Sequence, residues 1–423
     1  MRVGGTLRAP GDKSVTHRAL ITAALAHARA KVSGVLTAHD ARSTARALRQ
    51  LGVDVGPLRA GRAVIVRGRR WRAPADTIHC GNSGSTARLL LGALAGQGFS
   101  ARLSGDASLR KRPMRRVTAP LRAMGAAVEE EAGEGLPLRV SGGRLRPFSY
   151  HTPVASAQLK SAILFAGVSA GVPVTVSEPV RSRDHTERMF RHLGFDLRVS
   201  GTTVVLVGTG AEWPRLPDFE LEVPGDASSA AYLVGAALLA DGGELLVERV
   251  GVNPTRVGFL EVMRRMGGRV EQAGRRELSG EPVADLLVRP GALKATEVGA
   301  DEIPSLIDEV PLLAVLAARA EGETRFRSVG ELRVKESDRL GLIALNLRAV
   351  GVDAAADGDD LVVVGGDAPP RGVVETARDH RLTMAFAVLG SVAGADVRLS
   401  ETASVGVSYP GFWDDLERMR QDD

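Results

Sequence analysis

The feature that most constrains the fold of this chain is an internal repeat. A short five-residue pattern recurs along the chain. It consists of an apolar residue, usually an arginine, one variable residue, a second apolar residue and a glycine, as in Leu48-Arg49-Gln50-Leu51-Gly52. Its copies begin at positions 48, 121, 190, 263 and 347, and Leu416–Met419 resembles a sixth copy without its glycine, so that consecutive starts lie 69 to 84 residues apart. Each copy predicts a helix that ends at a glycine cap and is followed by a short strand.

A second set of polar positions recurs along the chain with nearly the same spacing as the first pattern. Each of these positions is followed by small apolar residues and lies 34 to 39 residues before a copy of the first pattern. A polar residue before an apolar run is typical of a helix N-terminus. The chain is therefore predicted to consist of six copies of one α/β unit, each with a buried Ala-rich helix, a more amphipathic helix and a few strands. The predicted helix starts are Asp12, Asn82, Ser156, Asp226, Asp308 and Asp379.

Six units predict two domains of three units each. The division is expected near Leu221–Pro224, which gives a first domain at residues 10–224 and a second at residues 1–9 plus 225–423. We expect residues 1–9 to pair as a strand with the second domain, closing the chain on itself.

Composition and charge narrow the class of protein. The single cysteine, Cys80, excludes an intrachain disulfide framework. Met1–Pro10 has no apolar segment of the signal-peptide kind, and the most apolar run, 162–176, is too short and too broken by glycine and proline to span a bilayer. We therefore expect a soluble cytoplasmic protein. The net charge of +5 is dispersed, and no aromatic residues interleave with the basic cluster at 110–116, so the charge suits small anionic substrates at least as well as nucleic acid.

The stretch Pro10–Ala19 is typical of an anion site. Asp12 or Ser14 can cap a helix, which places Lys13, Ser14 and Arg18 in its first turns, where free N–H groups and the helix dipole favour an anion. The stretch is not a Walker A loop, because the upstream glycine is missing. A capped helix with solvated charges is the alternative.

Other helix starts carry groups of the same kind. Gly81–Arg88 is glycine-rich and lets backbone N–H groups approach a ligand, and Arg110–Met114 follows on a predicted loop as a basic run. On a helix, Lys335 and Arg339 would share a face, with a solvated helix start as the alternative. Arg381 is expected where Arg18 lies in the first unit. The sequence has no HExxH motif. A histidine and a glutamate lie two residues apart in Arg181–Glu187, but this spacing is weak evidence for a metal site. We therefore predict no metal and no cofactor.

Together these motifs resemble the 5-enolpyruvylshikimate-3-phosphate (EPSP) synthase family, the 3-phosphoshikimate 1-carboxyvinyltransferases. The resemblance covers essentially the whole chain and implies a two-domain inside-out α/β barrel of the enolpyruvyl transferase type, with six β-α-β-α-β-β repeats, three per domain. Three further motifs, Ser156–Lys160, Arg183–Glu187 and Asn253–Arg256, are similar to the family's class II branch, which is often associated with glyphosate tolerance. The motifs that carry the family resemblance are Gly11–Arg18, Gly81–Gly84, Leu109–Met114, Arg333–Arg339 and Asp379–Arg381.

The resemblance implies an enzyme that transfers the enolpyruvyl group of phosphoenolpyruvate to the 5-hydroxyl of shikimate 3-phosphate and releases phosphate. It implies Asp308 as the base at the shikimate hydroxyl, with Glu336 and Lys13 in proton transfer at the enolpyruvyl carbon. The implied contacts to shikimate 3-phosphate are Lys13, Ser14, Arg18, Ser156, Ala157, Gln158, Arg183, Asp308 and Lys335. Those to phosphoenolpyruvate are Lys13, Gly84, Arg112, Gln158, Arg339 and Arg381.

Two departures from the family pattern bear on ligand binding. Val407 stands where many members carry a lysine that contacts phosphoenolpyruvate, and Leu89 follows Arg88 where some glyphosate-sensitive members have proline. Gly84 leaves room for the inhibitor, whereas the class II motifs indicate tolerance. Glyphosate is thus a candidate inhibitor. Separately, we expect the protein to be a monomer.

Two other functions compete with this interpretation. The sister transferase that acts on UDP-N-acetylglucosamine shares the chemistry, but it usually has asparagine where Ser14 stands, and often a reactive cysteine near Arg112, whereas Cys80 lies outside that loop. A polyanion- or nucleic-acid-binding protein would use the basic surface, but would leave Asp308 and Glu336 unexplained.

Overall fold

The computed structural model describes residues 1–131, 133–210 and 216–421. Helices and short strands alternate along this part of the chain. Three 3-10 helices lie at Ile303–Ser305, Gly330–Val334 and Ala403–Val407 among the described residues. The α-helices of the described residues are α1 (Lys13–Leu25), α2 (His39–Gln50), α3 (Gly84–Ala95), α4 (Ala107–Lys111), α5 (Arg115–Met124), α6 (Ala157–Ala170), α7 (His185–His192), α8 (Ala227–Leu238), α9 (Gly258–Arg265), α10 (Val310–Ala317), α11 (Arg339–Ala349), α12 (His380–Gly390) and α13 (Phe412–Arg418).

The strands are short and are distributed over several small sheets. They are β1 (Arg2–Val3), β2 (Thr6–Arg8), β3 (Arg29–Ser33), β4 (Asp54–Val55), β5 (Val64–Arg67), β6 (Ile78–His79), β7 (Ser100–Ser104), β8 (Ala127–Glu130), β9 (Leu138–Ser141), β10 (Phe148–His151), β11 (Val174–Ser177), β12 (Leu197–Ser200), β13 (Thr203–Leu206), β14 (Phe219–Glu222), β15 (Gly242–Gly243), β16 (Leu245–Gly251), β17 (Arg269–Leu278), β18 (Glu281–Arg289), β19 (Glu297–Val298), β20 (Glu323–Phe326), β21 (Asp353–Asp357), β22 (Asp360–Val364), β23 (Arg371–Val374), β24 (Asp396–Leu399) and β25 (Arg420–Gln421).

The chain folds into two compact units. The unit that we call N-terminal comprises Gly11–Pro224 and Glu277–Glu281, and the unit that we call C-terminal comprises Met1–Pro10, Gly225–Arg276 and Pro282–Asp423. Each unit has its own hydrophobic core.

The sheets of the N-terminal unit repeat one topology. In the sheet β6-β7-β9-β8, the first two strands are parallel and the others antiparallel, with α3 between β6 and β7 and α5 between β7 and β8. A parallel pair requires a crossover connection, which the helix supplies. The sheets β10-β11-β13-β12 and β14-β3-β5-β4 have the same order, so each unit of the repeat is β-α-β-α-β-β.

Two of the repeats take their first strand from a distant part of the chain. In the N-terminal unit, β14 pairs in parallel with β3. In the C-terminal unit, β2 pairs in parallel with β16, while β1 lies between β15 and β25. The strand pairing expected for the first nine residues is therefore present.

The arginine and the glycine of the repeated pattern have local structural roles. Gly52, Gly125, Gly194, Gly267 and Gly351 all have positive φ, as the predicted helix ends require. The arginine of four copies donates a hydrogen bond to the carbonyl oxygen six residues later, in the following strand. The donor–acceptor distances are 2.8 Å for Arg49–Val55, 2.8 Å for Arg122–Val128, 3.0 Å for Arg264–Val270 and 2.7 Å for Arg348–Ala354.

Four of the six buried helices begin where the set of polar positions predicts. In each of these four, the side chain of the predicted residue accepts a hydrogen bond from a backbone N–H of the first turn, as Asp12 Oδ1 does from Val15 N at 2.8 Å. At α3 the capping residue is Ser83 rather than Asn82, because the amide of Asn82 bonds Asp106. At α10 the residue at the cap position is Glu309, and Asp308 lies in the turn before it.

Two sequence-based expectations about the basic motifs are wrong. Arg110 and Lys111 lie in the short helix α4 rather than on a loop, because Asp106 accepts from Leu109 N and caps a turn. Lys335 and Arg339 do not share one helix, because the 3-10 helix ends at Val334 and α11 starts at Arg339. In the part of the chain that the structure describes, no helix is long and apolar enough to cross a membrane.

Candidate active site

The first helix start of the N-terminal unit presents a paired lysine. Lys13 is the first residue of α1, and its Nζ lies 3.1 Å from Asp40 Oδ2 on α2. The side chain of Lys13 retains 19% exposure, so the ammonium group is still reachable by a ligand. Ser14 is half-buried beside it. Lys13 is thus placed at an anion-attracting helix end, as the sequence predicts.

The Arg18 side chain is buried and forms its hydrogen bonds with groups of the protein itself. Its Nε donates to Thr186 Oγ1 at 2.7 Å, its Nη2 to Ser161 Oγ at 2.8 Å, and its Nη1 to the Ser14 carbonyl oxygen at 2.9 Å. Burial, with a smaller contribution from Arg183, lowers the pKa of Arg18 to about 10 against the attraction of nearby carboxylates. Arg18 therefore ties α6 and α7 to α1. Its contact with substrate remains a prediction.

A cluster of cations surrounds the start of α3. A Cβ atom added to Gly84 would lie 2.8 Å from Nη1 of Arg88 and 3.5 Å from Nη1 of Arg112. Gln158 accepts from Arg88 Nη1 at 2.8 Å and donates to Ser85 Oγ at 3.0 Å. The structure therefore brings together three predicted contacts to phosphoenolpyruvate, Gly84, Arg112 and Gln158.

Two of the sequence motifs meet in a buried ion cluster. Lys160, from the motif Ser156–Lys160, lies with its Nζ 2.6 Å from Glu178 Oε2 and 2.8 Å from Glu187 Oε1, and all three side chains are at most 2% exposed. Burial raises the pKa of Glu187, whereas the two carboxylates raise the pKa of Lys160 although burial alone would lower it. Ser156 N donates to Glu178 Oε1 at 3.0 Å, so the cluster also orients the start of α6, where Ala157 is the first residue.

The C-terminal unit gathers carboxylates and arginines at the starts of three helices, α10, α11 and α12. Asp308 Oδ1 lies 3.7 Å from Arg339 Nη1, and Asp308 Oδ2 lies 3.8 Å from Arg381 Nη2. Arg381 Nη1 also donates to the Asp308 carbonyl oxygen at 3.0 Å. Burial alone would lower the pKa of Arg381, but Asp308 and other anionic neighbours raise it well above its ordinary value. Both guanidinium groups therefore stay charged beside Asp308.

Exposure separates the carboxylates that can reach a substrate from those that cannot. Asp379 is fully buried and accepts from Arg339 Nε at 2.8 Å. Glu336 accepts from Arg339 Nη2 at 2.5 Å and keeps 24% exposure, and Asp308 keeps 17%. Glu309 is 1% exposed and is held by Arg256 Nη1 at 2.9 Å. Asp308 and Glu336 are thus the reactive candidates of this cluster, and the two buried carboxylates are supports.

Lys335 forms an ion pair with a carboxylate that is not one of these reactive candidates. Its Nζ lies 3.0 Å from Glu331 Oε1, and its side chain is 21% exposed. Among the described residues, no group of three or more His, Cys, Asp or Glu side chains is arranged to hold a metal ion.

Comparisons with known proteins show which family the whole chain belongs to. The family model described as EPSP synthase (3-phosphoshikimate 1-carboxyvinyltransferase) matches residues 1–416. The chain belongs to the EPSP synthase family. A Thermus thermophilus protein named 3-phosphoshikimate 1-carboxyvinyltransferase is 50% identical over 419 residues, which cover 98% of this chain and 96% of the relative. One of the same name from Prochlorococcus marinus is 46% identical over 426 residues, with 99% and 96% coverage.

Solved structures place the chain in the enolpyruvyl transferase fold. An EPSP synthase from Acinetobacter baumannii superposes with a TM-score of 0.87 at 38% identity, covering 99% of this chain and 96% of that one. The enolpyruvyl transferase NikO from Streptomyces tendae gives a TM-score of 0.80 at 22% identity, covering 99% and 95%. The predicted two-domain inside-out α/β barrel with six repeats is therefore confirmed as the fold.

Arg88 belongs to the motif Gly81–Arg88 but is not among the predicted site residues, and the structure places its Nη1 2.8 Å from Gln158 Oε1. Arg88 follows Gly84 by four residues on α3, a spacing that places both on one helix face. This four-residue spacing is the sequence signal from which the position of Arg88 beside Gly84 could be predicted. Of the two departures from the family pattern, Leu89 is fully buried in the core and Val407 is half-buried at the end of the 3-10 helix Ala403–Val407.

Proposed function

We infer that this chain is a 3-phosphoshikimate 1-carboxyvinyltransferase of the shikimate pathway, which leads to chorismate and the aromatic amino acids. The observation that carries the inference is the cluster of Asp308, Glu336, Arg339 and Arg381, in which reachable carboxylates lie among buried, permanently charged guanidinium groups. Membership of the EPSP synthase family supports the same conclusion.

The reaction needs proton transfer in both directions at one carbon. C3 of phosphoenolpyruvate takes up a proton while the 5-hydroxyl oxygen, losing its own proton, forms a bond to C2. The tetrahedral intermediate then releases phosphate from C2 and loses a proton from the C3 methyl group, which restores the double bond. A group that acts first as acid and then as base is therefore required.

The proposed roles in the C-terminal unit follow from charge and exposure. Asp308 accepts the proton of the shikimate hydroxyl, because it is partly exposed and its two oxygens are oriented by arginines at 3.7 and 3.8 Å. Glu336 is proposed for proton transfer at C3. Arg339 and Arg381 bind the anionic groups of phosphoenolpyruvate, for which a guanidinium fork is suited. The contact of Lys335 with shikimate 3-phosphate requires it to leave Glu331.

In the N-terminal unit, cations at helix starts are proposed as anion contacts. Lys13 is assigned to both substrates and to proton transfer, and exchanges Asp40 for a ligand oxygen when they bind. The other proposed contacts to shikimate 3-phosphate are Ser14, Arg18, Ser156, Ala157, Gln158 and Arg183, and those to phosphoenolpyruvate are Gly84, Arg112 and Gln158.

We also propose that the chain is of the class II type. Lys160 and Glu187 come from two of the three class II motifs and form one buried ion pair. Arg256, from the third motif, forms another buried pair with Glu309. Substitution of either member alone would leave a buried charge uncompensated, so each pair of residues is expected to occur together. Gly84 also bears on tolerance, because a Cβ atom at this position would lie 2.8 Å from Arg88 Nη1 and would crowd the cations beside it.

The remaining proposals concern organisation. The two compact units support a division into three-repeat domains at residues 10–224 and at 1–9 plus 225–423. We further propose a cytoplasmic monomer whose only cysteine, Cys80, stays a buried free thiol.

The test is phosphate release from phosphoenolpyruvate with shikimate 3-phosphate, run beside UDP-N-acetylglucosamine. Release with shikimate 3-phosphate alone supports the function, and release with neither acceptor refutes it. Asp308→Asn should lower kcat at least about a hundredfold, because a neutral amide cannot take the proton. Unimpaired turnover of this variant would remove Asp308 as the base. A glyphosate titration of the active protein tests the class II assignment, since half-inhibition well above the KM for phosphoenolpyruvate is expected of a tolerant enzyme.

A further inference from the structure

An arginine-lined groove on the N-terminal unit lies outside the catalytic groups. It has a volume of about 590 Å³ and is formed by one side of α2 and by the chain that follows β4. Such a volume is ordinary for a small-molecule site. Its lining residues are Arg42, Ala45, Arg46, Arg49, Val55, Pro57, Leu58 and Arg59.

The groove and the catalytic groups use opposite faces of α2. Successive residues of an α-helix are rotated by about 100°, so residues 42, 46 and 49 fall on one face and residues 40 and 44 on the other. Asp40 contacts Lys13, and Thr44 lies 2.7 Å from the ring nitrogen of buried His17. An occupant of the groove is therefore not a substrate of the catalytic site.

The four groove arginines are not neutralised by the protein. Within residues 1–131, 133–210 and 216–421, none of them forms an ion pair, and no groove residue is acidic. Some exposed arginines elsewhere do pair with a carboxylate, as Arg198 does with Asp196 and Arg398 with Asp396. Like charges four residues apart, such as Arg42 and Arg46, also destabilise a helix, and a bound anion would offset that repulsion.

The internal repeat provides a comparison for one of these arginines. Arg49 corresponds to Arg122 and Arg264 in other copies of the pattern. Each of those pairs with a carboxylate, Arg122 with Glu130 at 3.2 Å and Arg264 with Glu261 at 2.5 Å. Among the described residues Arg49, like Arg191 and Arg348 in two other copies, forms no ion pair, so no carboxylate of the protein offsets its charge.

Two of the arginines are already fixed in position. Arg42 Nε donates to the Thr37 carbonyl oxygen at 2.6 Å, and Arg49 donates to the carbonyl oxygens of Val55 and Gly56 at 2.8 and 2.7 Å. Groups that are held before binding lose less entropy on binding. Arg46 and Arg59 are exposed on either side of the groove, one on α2 and one in the following loop.

We propose that the groove binds a small molecule that carries an oligophosphate group and a planar apolar body. Guanidinium forks bind phosphate oxygens in pairs and stack on planar rings. Buried Ala45, Val55 and Leu58, with Pro57, supply an apolar floor for the body of the ligand.

The test is calorimetric titration of the full chain with inorganic tripolyphosphate and with ATP, at fixed ionic strength. ATP supplies both parts of the ligand and tripolyphosphate only the charge. Arg46→Gln/Arg59→Gln should weaken ATP binding at least about tenfold, because two charge-assisted contacts are lost. The control, Arg198→Gln/Arg398→Gln, removes the same net charge from two arginines that are each 76% exposed, and should leave binding unchanged.

Each outcome decides the proposal. Binding of one ATP that is lost only in the groove variant supports it, and ATP should bind more tightly than tripolyphosphate. No binding, or equal weakening in both variants, overturns the site, and equal affinity for the two probes overturns the apolar body. Arg46→Gln alone, expected to weaken binding several-fold, replaces the double variant if that variant does not fold. Phosphate release with shikimate 3-phosphate should be unchanged in all of them, so this test and that of the catalytic function fail independently.

Discussion

Replacement of Lys160 by methionine tests the buried ion cluster that joins two of the sequence motifs. The ammonium group lies 2.6 Å from Glu178 and 2.8 Å from Glu187, with all three side chains at most 2% exposed. Methionine has a similar length but no charge, so Lys160→Met leaves two carboxylates buried without their common cation. Loss of one partner from a buried pair costs about 3–5 kcal/mol, and we expect the free energy of unfolding to fall by this amount.

The pH dependence gives this prediction a second, sharper readout. Burial already raises the pKa of Glu187 and Lys160 opposes that rise, so without the lysine the pKa of Glu187 in the folded protein should rise further above its unfolded value. A raised pKa contributes stability that is present below the unfolded pKa and is lost as the pH rises through the folded pKa. Lys160→Met should therefore be less destabilised at about pH 5 than at about pH 8, where the charged form of Glu187 must be buried without its cation.

The assay is urea unfolding followed by circular dichroism at both pH values. Lys160→Met/Glu187→Gln serves as the matched control, since it removes one of the two uncompensated charges and should recover at least about 1 kcal/mol. A loss below about 1 kcal/mol, or the same loss at both pH values, would refute the reasoning. The variant should also raise the KM for shikimate 3-phosphate, because Thr186, next to Glu187, orients Arg18.

Three further perturbations test separate features. Gly84→Ala places a Cβ atom 2.8 Å from Arg88 Nη1, so the guanidinium group must move. We expect a several-fold higher KM for phosphoenolpyruvate in steady-state kinetics. The control is Gly98→Ala, whose Cβ atom would have nothing within 4 Å and should leave this KM unchanged. Burial, followed by nearby cations, lowers the pKa of His17 from 6.5 to about 3, so the folded state resists protonation. Between about pH 6 and pH 4 the wild type should lose about 1.4 kcal/mol of stability per pH unit more than His17→Gln, and equal slopes in urea titrations would contradict this. Tyr409→Phe removes a buried hydrogen bond of 2.7 Å to the Asp415 carboxylate and should lower the free energy of unfolding by about 1–3 kcal/mol. An unchanged midpoint in urea unfolding would contradict this prediction.

The repeat and most of its helix ends could be predicted from local sequence patterns. Gly125 and its equivalents end helices because positive φ is a local property of the backbone that glycine accepts at little cost. Asp12 and Asp226 begin helices because a capping side chain reaches only the next turn. These features depend on neighbours within a few residues, and so they can be read from a single chain. The motifs that resemble the EPSP synthase family then supplied the fold and the reaction.

Tertiary structure alone decided which charged groups support others and which remain reachable. Arg88 contacts Gln158 from 70 positions away, and Arg339 contacts Asp379 from 40 positions away, on different helices. Asp308 is partly exposed whereas its neighbour Glu309 is buried, a difference in burial that two adjacent carboxylates do not reveal in the sequence. Burial and long-range pairing depend on the path of the whole chain, because each contact is fixed by packing of elements that are remote in sequence.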